Sequence, residues 1–443
     1  MMTSAKSNKR KESFVPVVQD GKTVNLFFDG TKNNLYNTDT YKKGFSTKQK
    51  KEHNEDETSY SNAYSNVAHL FLNKSKSGSQ FWIYMEGIGT VQGDEDDEVL
   101  GFAFGDGDTG IVERAKEAFG KIEGKVGRKP TILYINIFGF SRGAATARHF
   151  IHLAKSNPKL FKKWNLSTSQ IRFKFVGLFD TVSSYQYVSL RSSLISGLIP
   201  VGQAVNHNFD NDVSELKLDF RNLDANDKKI TKVFHIIAAD EYRENFSITN
   251  IKSAINGGFG YEVIMNGAHA DVGGAYPDST KGKKYDIEED DETLKAWLIT
   301  KEFYKADQIK LIKRTIGSNY YQAERTNAVY YDIHKVSLNM TARMATTYGN
   351  MSFTPELITY YSNLKPGIRQ SMGKLPDKVI KSVKWGGRLN LSLVEGKITK
   401  GFRNSYIHWS AKYVKGSATA DLGFGLRRLK NGEGVPFRKT IDG

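Results

Sequence analysis

The 443-residue chain carries a formal net charge of +16 and no cysteine, and 39% of its residues are hydrophobic. The lack of cysteine excludes disulfides and thiolate metal sites, and the lack of an apolar run of about 18 residues argues against a transmembrane helix. The positive charge indicates an anionic partner, either nucleic acid or an acidic lipid surface. Because no motif of a nucleic-acid-binding module accompanies the charge, we expect no nucleic acid partner.

The chain begins with the polar and basic stretch MMTSAKSNKRKESF, which lacks the apolar core of a secretory signal peptide. We expect residues 1–20 to form a disordered basic lead and the protein to be made as a cytoplasmic chain. Any export would then use a route that needs no cleavable signal.

Apolar runs alternate with helical patterns from about residue 21 to residue 310. The predicted strands lie in TVNLFF, QFWIYM, TILYINIF, FKFVGLF, KVFHIIA and YEVIM, and the predicted helices lie in SNAYSNVAHLFL, GDTGIVERAKEAFGKI, the stretch from Arg142 to Ala154 and TLKAWLIT. This alternation predicts an α/β fold whose mostly parallel sheet has helices on both faces. The pattern weakens beyond residue 310. We therefore predict a core with insertions over residues 21–310 and a mixed, basic region over residues 311–443 that packs on the core as a cap would.

The stretch GFSRG, from Gly139 to Gly143, matches the Gly-x-Ser-x-Gly pattern of a nucleophile elbow. The bare pattern is weak evidence in a chain with 40 glycines. Here, however, it stands between a buried strand and an alanine-rich helix, as an elbow requires. Side chains at the two glycines would collide with the neighbouring strand and helix. We therefore interpret Ser141 as the nucleophile of an α/β-hydrolase fold.

A serine nucleophile needs a base, and the base needs an acid that orients it. In this fold class the acid lies between the serine and the histidine in the chain. Asp180, in GLFDTV, and Asp240, in AADEYRE, each follow a predicted strand at its carboxyl end, where ligands of parallel sheets bind. We favour Asp180 as the acid and keep Asp240 as the runner-up.

Two histidines compete for the role of base. His269, in GAHADVGGAY, follows a strand and precedes two glycines that suit close backbone approach. His408, in SYIHWSAKY, is flanked by aromatic residues and lies in a region that would reach over the site. His235 lies inside an apolar strand and fits a core histidine better. We favour His269 and keep His408 as the runner-up.

An oxyanion needs two backbone N–H donors. The residue after the nucleophile, Arg142, supplies one of them. The turn FFDGTKN offers Gly30 or Thr31 for the other, although an ordinary Asp-Gly turn has the same letters.

A serine triad needs no metal, so we predict neither a metal nor another cofactor. The carboxylates that a cation would otherwise use are those of Asp29, Asp271 and the acidic run from Asp94 to Glu98.

The segments LFFDGTKNN, MEGIGT, IFGFSRGAATAR, GLFDTV, AADEYRENF and GAHADVGGAY occur in this order in the chain. In these segments and their order, the chain resembles an α/β-hydrolase domain family formerly of unknown function. The best understood members of that family are similar to family 1 lipase effectors of bacterial type VI secretion. The resemblance covers about residues 24–300. It implies that Ser141, Asp180 and His269 lie at the triad positions of the family.

The same resemblance implies a phospholipase A that deacylates glycerophospholipids in the membrane of a competing bacterium. It also implies export by a contractile machine on a needle or spike carrier, action at the periplasm and membrane of the target cell, and a cognate immunity protein in the producer. The net charge of +16 would favour adsorption to anionic phospholipid.

The apolar stretch VSLRSSLISGLIPVG, from Val188 to Gly202, is a candidate lid or membrane-contacting cap. A buried connecting helix would have the same composition. Two other functions fit the sequence: a carboxylesterase that acts on other esters with the same triad, and a catalytically silent binding or scaffold protein that keeps the fold.

Overall fold

Parallel strands form the main sheet of the computed structural model. The structure describes residues 21–44, 58–75, 79–94, 96, 109–184, 216–277, 284–288, 292–313, 320–325, 328–392, 400–411 and 435–443. Its strands are β1 (Gly21–Phe28), β2 (Gln80–Met85), β3 (Ile132–Phe140), β4 (Ile171–Phe179), β5 (Lys232–Ala238), β6 (Ile248–Thr249), β7 (Gly260–Met265), β8 (Lys284–Glu288), β9 (Ile309–Ile312), β10 (Tyr320–Glu324), β11 (Gly387–Asn390) and β12 (Thr440–Ile441).

The α-helices of the described residues are α1 (Leu35–Lys43), α2 (Asn66–Leu72), α3 (Ile111–Val126), α4 (Arg142–Ser156), α5 (Ala225–Ile230), α6 (Lys252–Asn256), α7 (His269–Gly273), α8 (Glu292–Thr300), α9 (Ile333–Gly349), α10 (Pro355–Ser362), α11 (Pro366–Met372), α12 (Leu375–Ser382) and α13 (Phe402–Tyr406). None of them is long and apolar enough to cross a membrane. The predicted lead over residues 1–20 and the candidate lid from Val188 to Gly202 lie outside the described residues.

The main sheet has the strand order β11-β7-β5-β4-β3-β1-β2, and every neighbouring pair in it is parallel. Six of these strands coincide with the six apolar runs of the sequence, so the predicted α/β fold is confirmed. The seventh, β11, is not predicted by the pattern, because its sequence GRLN contains a single large apolar residue.

The two faces of the sheet carry different side chains, because successive residues of a strand point to opposite sides. Phenylalanines of the four central strands lie on one face and pack with α2, α7 and α9; they are Phe27, Phe138, Phe175 and Phe234. Their aliphatic neighbours face α3 and α4 on the other side; they are Leu26, Ile137, Val176 and Val233. Helices therefore cover both faces, as buried parallel strands require.

The chain beyond residue 310 packs against this core. Helix α9 lies on the aromatic face, β11 extends the main sheet beside β7, and β12 pairs in parallel with β6. Strands β8, β10 and β9 form a small antiparallel sheet that spans the proposed boundary at residue 310. The division of the chain into a core and a C-terminal region stays a prediction.

The close approach of α4 to β1 can be tested at Gly143. A Cβ at this position would lie 2.1 Å from the carbonyl oxygen of Asp29. This oxygen belongs to the backbone, which can shift only at a cost in free energy. We expect Gly143→Ala to lower the free energy of unfolding by about 2–4 kcal/mol, measured by urea denaturation. Gly120→Ala is the matched control, because a Cβ there meets nothing within 4 Å and should stabilise α3 by about 0.5–1 kcal/mol. Equal stability of Gly143→Ala and the wild type would contradict the packing.

Candidate active site

Ser141 forms the turn between β3 and α4. Its backbone dihedral angles are φ +57° and ψ −129°, a combination that residues other than glycine rarely adopt. A Cβ at Gly139 would lie 2.5 Å from the Cα of Ala144, and Gly143 lies against the backbone of β1. Glycine is therefore required on both sides of the serine, and the turn has the strained form of a nucleophile elbow.

Asp180 lies beside this turn because β4 is the neighbour of β3. The Ser141 N–H donates to the carbonyl of Phe179 at 3.0 Å, and the Val182 N–H donates to the Ser141 carbonyl at 3.3 Å. Asp180 lies between these two contacts with a φ of +43°, and its side chain is fully buried. The serine and the favoured acid therefore leave the sheet at the same edge.

His269 contacts the carboxylate of Asp180. It is the first residue of α7, and its Nδ1 lies 2.5 Å from Oδ2 of Asp180. Its ring centroid is 4.7 Å from that of Phe140, the residue before the serine. The bond to the acid places a proton on Nδ1 and makes Nε2 the basic nitrogen. The structure thus brings Asp180 and His269 together next to the turn that carries Ser141.

Arg438 binds the same carboxylate with two nitrogens. Nη1 lies 2.7 Å from Oδ1 of Asp180, and Nη2 lies 2.8 Å from Oδ2. Burial acts to raise the pKa of Asp180, but the charge of Arg438 and the hydrogen bond from His269 outweigh it and hold the pKa well below its usual range. The sequence holds no signal for this contact, because 258 positions separate the two residues and no motif surrounds Arg438.

The surroundings of His269 keep its imidazole neutral at neutral pH. Burial lowers the pKa of His269, although the hydrogen bond and the charge of Asp180 act to raise it. The backbone N–H of His269 donates to Oε2 of Glu241 at 3.2 Å. Glu241 in turn forms an ion pair with Arg243 at 2.9 Å. The neutral form is the one that can accept a proton from a serine hydroxyl.

The runner-up residues occupy other positions around α7. Oδ2 of Asp240 accepts the Gly267 N–H at 2.8 Å, so this aspartate holds the loop before His269. Nδ1 of His408 lies 2.6 Å from Oδ1 of Asp271 in a second histidine–carboxylate pair. The pair beside the elbow is Asp180 with His269, and this geometry favours them over Asp240 and His408.

Side chains join two of the residues that are predicted to supply oxyanion donors. The side chain of Arg142 donates from Nε to the Thr31 hydroxyl at 2.8 Å, and burial lowers the pKa of its guanidinium to about 10. The Gly30 N–H donates to Oδ1 of Asp29 at 2.8 Å and is therefore already engaged. This favours the backbone N–H of Thr31, together with that of Arg142, as the candidate pair.

The carboxylates considered as cation ligands are bound within the protein. Tyr84 donates its hydroxyl to Asp29 at 2.5 Å, and Asp271 pairs with His408. Within the residues that the structure describes, no group of three or more histidine or carboxylate side chains is arranged to hold a metal. The absence of a metal and of other cofactors stays a prediction, and the acidic run from Asp94 to Glu98 is described only in part.

One family model and two solved structures are similar to this chain. Residues 154–301 match the family model of the type VI secretion system Tle1-like phospholipase effector catalytic domain. The solved structure of the Tle1 effector bound to the VgrG spike from the type 6 secretion system has a TM-score of 0.56 and 21% identity, and the match covers 100% of this chain and 98% of that chain.

A crystal structure of an uncharacterized protein from Pseudomonas aeruginosa matches with a TM-score of 0.42 and 16% identity, over 81% of this chain and 51% of that chain. A search of the curated proteins found no match. The resemblance to type VI secretion lipase effectors is confirmed by the family model over residues 154–301, which contain the last three of the six segments given above.

A fluorophosphonate probe tests whether Ser141 is a reactive nucleophile. We expect the probe to label the wild type and to leave Ser141→Ala unlabelled. Asp180→Asn should react at least about 100-fold more slowly, because the base loses its orienting carboxylate. Asp240→Asn is the matched control, since its amide oxygen can still accept the Gly267 N–H, and it should label at a rate near that of the wild type. Slow labelling of Asp240→Asn together with normal labelling of Asp180→Asn would assign the acid to Asp240.

Proposed function

We propose that this chain, which is similar over residues 154–301 to the catalytic domain of Tle1-like phospholipase effectors, is a serine hydrolase that deacylates glycerophospholipids. The observation that carries the proposal is the 2.5 Å contact between His269 and Asp180 beside the strained turn of Ser141. The match to the family model supports the broader assignment of the chain as a lipid-hydrolysing effector of the type VI secretion class.

The proposed reaction has two acyl-transfer steps. Nε2 of His269 accepts the hydroxyl proton of Ser141 while Oγ attacks the ester carbonyl, and Asp180 holds the imidazole in the required orientation. The N–H groups of Thr31 and Arg142 are the proposed donors to the oxyanion. The imidazolium then gives its proton to the departing lysophospholipid oxygen. Water, activated by the same histidine, releases the fatty acid and restores the serine.

The proposal extends to the place of action. The Tle1 effector has been solved bound to the VgrG spike, and we propose that this chain likewise leaves its producer on a needle or spike carrier and acts on the membrane of a target cell from the periplasm. A cognate immunity protein would protect the producer. The net charge of +16 suits adsorption to anionic lipid.

Lipid analysis by mass spectrometry tests the substrate class. We expect wild-type protein incubated with phospholipid vesicles to produce lysophospholipid and free fatty acid in equal amounts, and Ser141→Ala to produce neither. Hydrolysis of soluble esters without release of fatty acid from vesicles would instead assign the chain as a carboxylesterase. Failure of folded wild-type protein to act on either substrate, or to react with the fluorophosphonate probe, would assign a catalytically silent protein.

The pH dependence of hydrolysis follows from the state of His269. The base must be neutral to accept a proton, and burial lowers its pKa from the ordinary value of 6.5. We therefore expect kcat/KM for a soluble ester to be constant from about pH 7 to 8 and to fall on acidification with a midpoint below about 6.5. A midpoint above this value would show that the histidine in the reaction is in a different environment.

A further inference from the structure

We propose that Arg438 is a positioning residue of the active site, which fixes the carboxylate of Asp180 and weakens His269 as a base by sharing that carboxylate. The inference rests on the proposed function, because it concerns the same acid and base. It adds a residue that lies outside both the elbow and the segments that carry the family resemblance.

The guanidinium of Arg438 is held by four contacts. Besides the two bonds to Asp180, Nη1 donates to the carbonyl of Ala238 at 2.9 Å, and Nε donates to the carbonyl of Phe246 at 2.8 Å. Its side chain is 8% exposed. The planar fork of an arginine fits two carboxylate oxygens at once, and the single ammonium of a lysine does not. Together with the Ala238 N–H, which donates to Oδ1 at 2.9 Å, Arg438 therefore fixes the position and the rotation of the carboxylate.

Residues 435–443, here called the strap, deliver Arg438 to this position. Strand β12 of the strap pairs in parallel with β6. The Ile248 N–H donates to the Lys439 carbonyl at 2.9 Å, and the Asn250 N–H donates to the Ile441 carbonyl at 3.0 Å. The residue next to Arg438 is thus fixed by the backbone, which leaves the guanidinium little freedom to withdraw.

The shared oxygen gives Arg438 an electrostatic effect on His269. Oδ2 of Asp180 accepts two hydrogen bonds, one from Nδ1 of His269 at 2.5 Å and one from Nη2 of Arg438 at 2.8 Å. In a triad without an arginine, the full charge of the aspartate stabilises the imidazolium. Here the cation offsets part of that charge, so the imidazolium is less favoured.

Other titratable and charged groups also surround the pair from the elements packed around it. Glu241 and Arg243 follow β5 and form an ion pair of their own. The remaining groups are the pairs Asp240–Arg403 and Asp271–His408 and the buried His235 of β5, whose Nε2 accepts the Thr181 N–H. The arginine that binds the Asp180 carboxylate directly is Arg438.

Three variants test the proposal: Arg438→Gln, Arg438→Lys and the control Lys252→Ala. Lys252 binds Asp442 of the strap at 2.5 Å on the surface, so the control removes a strap contact without touching Asp180. The readouts are kcat and KM for a soluble ester over pH 4.5–8 and the pKa of the His269 imidazole by NMR titration. The NMR reading needs no catalysis, so it separates failure of this inference from failure of the proposed function.

We expect Arg438→Gln to lower kcat about tenfold or more with KM little changed, and to raise both the acid midpoint and the His269 pKa by about one unit. Arg438→Lys should keep the pKa near that of the wild type but should not restore kcat, because it lacks the fork. Lys252→Ala should match the wild type in both readouts.

A folded Arg438→Gln protein with wild-type kcat and His269 pKa would overturn the proposal. Higher kcat in this variant would also overturn it, since the arginine would then be inhibitory. If Arg438→Gln does not fold, Arg438→Lys decides: reduced kcat with an unchanged His269 pKa supports the role, and wild-type kcat rejects it. If the wild type hydrolyses no ester, a raised His269 pKa in the glutamine variant still supports the electrostatic part, and an unchanged pKa rejects it.

Discussion

The parallel pairing of β3 with β4 is the constraint on which the candidate site depends. Phe140 and Phe179 are partners in that pairing, so the next residue of each strand, Ser141 and Asp180, turns away from the sheet at the same point with a positive φ. The missing side chain of Gly143 lets α4 begin against the backbone at the end of β1, as this tight turn requires. The position of the serine is therefore set by the backbone packing of β1, β3 and β4. The side chains of the site do not determine it.

Charge balance is the second condition. The site buries Asp180 and Glu241 completely, and an unpaired buried carboxylate would take up a proton instead of staying ionised. Arg438 and Arg243 prevent this by binding one carboxylate each. Burial acts to raise the pKa of both acids, and the neighbouring arginines act to lower it. The arginines have the larger effect, so the pKa of each acid lies below its usual value. The same pairing makes each arginine costly to remove, because the acid left behind would be buried without a counter-ion.

Much of this arrangement can be read from the sequence, and the missing parts have a common cause. Apolar periodicity identifies six strands of the main sheet, and the glycines around Ser141 identify the turn, because both are local properties of the chain. Residue types at the predicted strand ends favour Asp180 and His269 over Asp240 and His408, and these are the two side chains that the structure joins. Strand β11 and Arg438 escape prediction because each is defined by a distant partner.

The bond between residues 180 and 438 also bears on synthesis. A chain emerging from the ribosome can form β1 to β5, the elbow and the contact between Asp180 and His269 long before residue 438 is made. Until then the buried carboxylate lacks its arginine, and β6 lacks the backbone partner that β12 provides. At that stage the carboxylate can contact only the Ala238 N–H and His269 among its three partners. Completion of the charge pair must wait for a segment that lies 258 positions after the acid.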